Sequence, residues 1–242
     1  MATLVFDIET IGEDWAALDA TTQAVLTRWI DHTAKDEAEH AALLADIKSG
    51  LGFSPLTGSI VAIGVYDLER AQGVVYYTGP TELVNDETDD VFTYKVRSEK
   101  EMLSDFWAGA KSYDTFVTFN GRGFDVPYLM HRAAINGITP TRDLMRGRYL
   151  YQQRDVTHID LMDQLSFYGA VRRPGNLHLY CRAYGIESPK ANGVAGDDVA
   201  ELFHQKKFRD IVRYNARDVI ATAKLYEVWR QYFSRNEQSI DF

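Results

Sequence analysis

The sequence predicts an α/β fold in which a mixed sheet carries helices on its faces. Three strand-like runs crowd the first eighty residues, and a short apolar strand leading directly into a helix follows further along. The length, 242 residues at 45% hydrophobic composition, suits one sizeable core and is short for two. Residues 1–242 are therefore expected to form a single domain.

The elements follow in order. Residues 3–8, within "LVFDIETIG", form a first strand built from Val5, Phe6 and Ile8. The segment "DWAALDATTQAVLTRWIDHTAKDEAEHAALLADIKSG" has the Ala and Leu content and spacing of two helices ended by Gly50, an insertion over about 13–50. "GSIVAIGVYDL" and "GVVYYTG" form two more strands across the polar turn "ERAQ", so the chain opens with an antiparallel meander. "ELVNDETDD" holds five acids and no base and is expected to be a solvated loop.

In "SEKEMLSDFWAGAKS", Ser98 and Glu101 have capping-box spacing ahead of apolar residues at helical intervals. "TFVTF" is a short buried strand, and "FDVPYLMHRAAINGI" a helix with Pro127 in its first turn and Gly137 at its end. The remainder, through "FRDIVRYNARDVIATAKLYEVWRQYF", is expected to be mostly helical. No internal repeat, low-complexity stretch or linker interrupts it.

The chain enters its first strand without a basic and apolar leader, and no apolar run approaches the ~20 residues of a spanning helix. A soluble, unsecreted protein with no membrane partner is expected. Cys181 is the only cysteine, which excludes an internal disulfide or a thiolate metal cluster and agrees with a reducing, cytoplasmic location. The net charge of -9 argues at first against a nucleic-acid partner, yet it is unevenly spread. Residues 1–100 carry 18 acids and 7 bases, residues 101–242 carry 17 acids and 19 bases.

Asp7 and Glu9 raise the functional question. With a two-residue side-chain period they share one face of a strand whose neighbours demand burial. Burying one unpaired carboxylate costs several kcal/mol, and a second like charge adds repulsion. Asp125 falls where a strand passes through a glycine turn into a helix, while Tyr214 and Asp218, four apart, share an apolar helix face with Ile211, Ala221 and Leu225. Hard divalent cations such as Mg²⁺ take oxygen ligands, and two ions about 3.5–4 Å apart can activate water and stabilise a leaving oxygen.

"FDIET", "NGRGFD" and "YNARD" stand in the order of the three motifs of the DEDDy 3′-to-5′ exonucleases. The resemblance runs from residue 4 to about 226 and is closest to the proofreading exonuclease domain of family B DNA polymerases. It implies a ribonuclease H-like fold with a five-stranded mixed sheet, antiparallel meander plus parallel strands, flanked by helices. It also implies two Mg²⁺ or Mn²⁺ ions, single-stranded DNA or RNA 3′ ends as substrate, and nucleoside 5′-monophosphate products. By that resemblance Asp7, Glu9 and Asp218 would hold the metal carrying the attacking water. Asp7 would bridge to a second metal, Asp125 would reach that second metal directly or through water, and Tyr214 would orient the water. Thr10, Asn120, Phe124, Asp160 and Lys190 would lie along the substrate, the last two in "HIDL" and "SPKANGV". The chain departs from the simple pattern in its inserted helices and contains no polymerase region.

Blander roles stand beside these. Asp125 and Asp160 fit helix N-caps, Asp218 could pair with an arginine, and Tyr214 could be ordinary core. The glycines of "NGRGFD" lack the pattern of a nucleotide loop, and His158, His178 and His204 lack zinc spacing. "TRDLMRGRYLYQQR" sets Arg142, Arg146, Arg148 and Arg154 beside Tyr149 and Tyr151, with Arg172 and Arg173 following. Cations interleaved with aromatics suit a single strand, or equally a solvated loop with packing tyrosines. Two other functions fit the composition: a catalytically weak binding module of the same fold, or a hydrolase of short oligonucleotides.

Overall fold

A computed structural model describes residues 2–80, 87–189 and 196–234. Strand β1 (Thr3–Gly12) runs through the centre of the sheet. It pairs antiparallel with β2 (Gly58–Asp67), which pairs antiparallel with β3 (Gln72–Tyr77), so the expected meander is present. Beyond β3 lie β4 (Glu87–Thr88) and β5 (Phe92–Val96), and on the far side of β1 the parallel strands β6 (Thr115–Thr118) and β7 (Thr157–Asp160). The order is β4-β5-β3-β2-β1-β6-β7, a mixed sheet of seven strands rather than the five expected.

The added strands have a local cause. "FTYKV" lies mostly half-exposed, alternating polar with apolar residues, and pairs parallel to β3. The acidic stretch before it is only partly loop: Glu87 and Thr88 pair with Tyr94 and Thr93. Asp89 closes that hairpin by accepting from the Val91 and Phe92 N–H groups and the Tyr94 hydroxyl. Residues 82–86 of the stretch lie outside the described residues.

The insertion folds as α1 (Ala20–Thr27), α2 (Ile30–Thr33) and α3 (Glu37–Gly50), three helices rather than two, with α3 ending at Gly50 as expected. It buries little: α1 and α3 contain no buried residue, and α2 anchors Ile30 alone. Helix α4 (Glu99–Ala110) starts at the Ser98–Glu101 capping box and buries Met102, Leu103, Phe106 and Trp107. Helix α5 (Asp125–Ile135) carries Pro127 in its first turn, and Gly137 just beyond it adopts φ +71°. After β7 come α6 (Leu161–Leu165), α7 (Leu177–Tyr184), α8 (Val199–His204) and the long α9 (Phe208–Tyr232).

Alternation along β1 sends its side chains to two cores. Leu4, Phe6 and Ile8 pack with α4 and α5, whereas Val5 packs with α9 on the other face. Asp7 and Glu9 continue the Val5 face, directly under α9. Among the described residues no helix is long and apolar enough to cross a membrane.

Candidate active site

Carboxylate oxygens of Asp7, Glu9 and Asp218 lie within 4.8 Å of one another. Glu9 and Asp218 are buried and Asp7 is half-buried. The approach depends on Gly64, the cross-strand partner of Asp7, because a Cβ there would lie 2.1 Å from Asn215 Oδ1. A side chain on β2 would push α9 off the sheet. Asn215, fully buried beside Tyr214, donates from Nδ2 to Asp7 Oδ2 at 2.9 Å and so fixes the first carboxylate.

Asp125 arrives from the opposite side. The "NGRG" turn, with Asn120 at φ +64°, delivers the chain into α5. Asp125 Oδ1 then accepts from the Ile8 N–H at 3.1 Å, stitching the helix start to the backbone of β1 between the two acids. Tyr214 lines the same pocket with Asp7 and Asp218, and its hydroxyl hydrogen-bonds Asp218. The pocket, about 380 Å³, is closed by Phe119, Asn120, Met162, Pro174 and His178.

Electrostatics single out this cluster. Burial and then the neighbouring carboxylates push Asp7 and Glu9 well above the usual carboxylate range, against the Asn215 hydrogen bond. Asp125 is pushed up to about 7 by burial, despite its hydrogen bond from Ile8. Burial beside Asp218 and Glu9 also raises Tyr214, which stays a neutral donor. Glu9 Oε1 is buried without a hydrogen-bond partner. An orphaned oxygen inside convergent carboxylates fits a hard divalent cation, which would remove both the desolvation and the repulsion.

The other expected contacts are distributed differently. Thr10 Oγ1 donates to the Gly52 carbonyl at 2.8 Å, tying the turn after α3 to β1. Phe124 sits edge-on to Phe53, which is 64% exposed, and tilted against Tyr128. Asn120 borders the pocket, but its N–H goes to Asp160. Asp160 caps α6 and accepts from the N–H groups of Asn120, Arg122 and Met162, each at 2.9 Å. Its carboxylate is thereby committed to structure. Arg148 forms a bidentate pair with Asp163, and Arg146 lies 3.8 Å from Asp155. Arg142 is spent on the Ala110 and Lys111 carbonyls at the end of α4. Lys190 lies outside the described residues.

Two residues were not identified as structural supports from sequence. Asn215 lay unnoticed inside "YNARD", and Gly64 was the available signal, since a glycine in the middle of an apolar strand marks close backbone approach.

Comparisons of sequence and fold relate the chain to an exonuclease family. Residues 71–238 match the family described as "Predicted 3'-5' exonuclease related to the exonuclease domain of PolB". A DNA polymerase of Pyrococcus glycovorans is 27% identical over 216 residues, covering 77% of this chain and 27% of the polymerase. DNA polymerase 1 of Sulfurisphaera ohwakuensis is 25% identical over 239 residues, covering 90% of this chain and 26% of that one. The family B DNA polymerase of Pyrobaculum calidifontis superimposes with a TM-score of 0.59 at 18% identity, over 95% of this chain and 24% of the polymerase. That likeness shows the ribonuclease H-like fold. The chain spans about a quarter of the length of these relatives.

Proposed function

Because the chain belongs to the family of predicted 3′-5′ exonucleases related to the exonuclease domain of PolB, we propose that it is a DEDDy-type exonuclease on single-stranded DNA or RNA. It uses two Mg²⁺ or Mn²⁺ ions and releases nucleoside 5′-monophosphates from 3′ ends. One observation carries the reading: Asp7, Glu9 and Asp218 converge within 4.8 Å, with an orphaned Glu9 oxygen among them. Residues 1–242 are taken as one exonuclease unit, since β1 and α9, at opposite ends of the sequence, build the site together. A cytoplasmic location accords with the single, buried thiol of Cys181.

Asp7, Glu9, Asp218 and Asp125 would hold the metal ions. When bound, these ions supply an activated water and charge stabilisation for the leaving 3′ oxygen. The protein's own groups set the geometry. Asn215 holds Asp7, the Ile8 N–H holds Asp125, and Tyr214, kept protonated, presents its hydroxyl beside Asp218 to orient the water.

The test uses 5′-labelled single-stranded DNA and RNA with Mg²⁺, Mn²⁺ or chelator, comparing the wild type with Asp7→Ala. The expected result is a one-nucleotide ladder that requires metal and disappears in the variant. Degradation that survives Asp7→Ala would remove the mechanism.

A further inference from the structure

A cavity of about 710 Å³ opens between α9 and strands β2 and β5, and of its lining only Pro189 also borders the candidate catalytic pocket. Its α9 wall is a stripe of cations. Arg213, Arg217 and Lys224 recur at i, i+4 and i+11 and so share one face of the helix, around Ile220. The next residue after each arginine, Tyr214 or Asp218, is turned about 100° around the axis and lines the catalytic pocket instead. One helix thus serves two cavities.

The side chains of Arg213, Arg217 and Lys224 form neither a hydrogen bond nor an ion pair with any described residue. Arg217 is the informative member. It is half-buried, and its Nε is shut off from solvent without an acceptor. A guanidinium that has lost water and gained no partner remains destabilised until an anion reaches it. Nor is the stripe neutralised by the acids on the lining. Asp89 already accepts from the Val91 and Phe92 N–H groups and the Tyr94 hydroxyl, and Asp90 and Glu187 are exposed.

The sheet side of the cavity supplies flat faces. Tyr66, Phe92 and Tyr94 form a run of rings with successive centroids 6.0 and 6.3 Å apart, Phe92 buried and the two tyrosines half-buried. A bare phosphate would leave these rings unused, and an uncharged aromatic molecule would leave Arg217 unpaired. The volume falls in the ~300–1,000 Å³ range of pockets that enclose a small molecule. We propose that this cavity binds a nucleoside monophosphate, its phosphate on Arg213 and Arg217 and its base against Tyr66 and Tyr94. The guanidinium fork matches phosphate oxygens, and Lys224, about 10 Å further along the helix, keeps the wall positive. Binding here is independent of the exonuclease reading; only the identification of the nucleotide with a reaction product rests on it.

Calorimetric titration of the full chain in chelator tests the site, with adenosine 5′-monophosphate, adenosine and inorganic phosphate as the probes. Wild type is expected to bind the nucleotide at least about tenfold more tightly than either fragment. Arg217→Gln should lower that affinity about tenfold or more, and Arg213→Gln, at an exposed position where folding is not at stake, several-fold. Asp7→Asn should bind the nucleotide as wild type does. Either fragment binding as tightly as the nucleotide would overturn the assignment of the ligand. No binding by wild type, or affinity unchanged in both arginine variants, would overturn the site itself. Loss of binding in Asp7→Asn would move the nucleotide to the acids and overturn it equally. A wild type that binds the nucleotide as expected yet gives no one-nucleotide ladder with metal would overturn the exonuclease reading and leave this cavity standing.

Discussion

One buried acid and one cluster of three acids lie at the same end of the sheet, and they are satisfied in opposite ways. Asp160, at the end of β7, accepts from three backbone N–H groups. In the cluster of Asp7, Glu9 and Asp218, Asp7 accepts from the neutral Asn215 amide and Glu9 Oε1 is left without a partner. Both environments raise the pKa by burial, but backbone donors oppose the rise at Asp160, whereas like charges add to it at Asp7. A carboxylate saturated by fixed donors organises a fold. One left short of donors among other carboxylates has the chemistry to suit a cation.

Substitution should separate the two. Asp7→Asn is expected to lower exonuclease kcat by about a thousand-fold or more, equivalent to roughly 4 kcal/mol in the transition state. The same change relieves repulsion, so the metal-free variant should melt no lower than the wild type. Asp160→Ala should do the reverse, orphaning three backbone donors at about 1–3 kcal/mol each. Chemical denaturation should therefore show at least about 3 kcal/mol of lost stability. If Asp7→Asn unfolds the protein and Asp160→Ala does not, the contrast is broken.

The pH dependence sharpens it further. His158 is buried between Thr118 Oγ1 and the Leu144 carbonyl, and burial lowers it to about 4. Its folded pKa lies below the ordinary ~6.5, so the unfolded chain binds the proton first as pH falls. Stability is complete above about 6.5 and declines toward 4, by about 3 kcal/mol in all. The acidic centre has the opposite sign. Its folded pKa values are raised, so metal-free protein loses stability as pH rises from about 4 through the value near 7 of Asp125. With chelator the two contributions oppose each other between about pH 4 and 6.5, so melting curves should show a net fall only toward higher pH, while saturating Mn²⁺ should remove that fall and expose the His158 decline toward pH 4.

A smaller effect belongs to Tyr214. Tyr214→Phe is expected to lower kcat about tenfold to a hundredfold with KM little changed, measured by steady-state cleavage. Equal loss in kcat and in substrate affinity would make the tyrosine structural.

Much of this arrangement was legible in the sequence, and the omissions have physical causes. Strands β1, β2 and β3 announced themselves through β-branched runs, and α4 through its capping box, because those signals are local. Strand β7 has little sequence signal because "THID" is four residues long and buries a histidine and an aspartate, whose partners lie mostly 14 to 40 residues away. Strand β5 hid beside an acidic run. In the candidate site, Asp7, Glu9, Asp125, Tyr214 and Asp218 carried motif spacing, whereas the support from Asn215 and Gly64 exists only once α9 meets β2. The pairing of Arg148 with Asp163, fifteen residues apart, likewise has no periodic signature.

We propose that the acids around β1 bind divalent metal and that Asp160 does not. Calorimetric titration with Mn²⁺ at a pH above 7 compares wild type, Asp7→Asn and Asp160→Asn. Binding is expected in wild type and Asp160→Asn, with its loss in Asp7→Asn. Wild-type affinity retained in Asp7→Asn would contradict it.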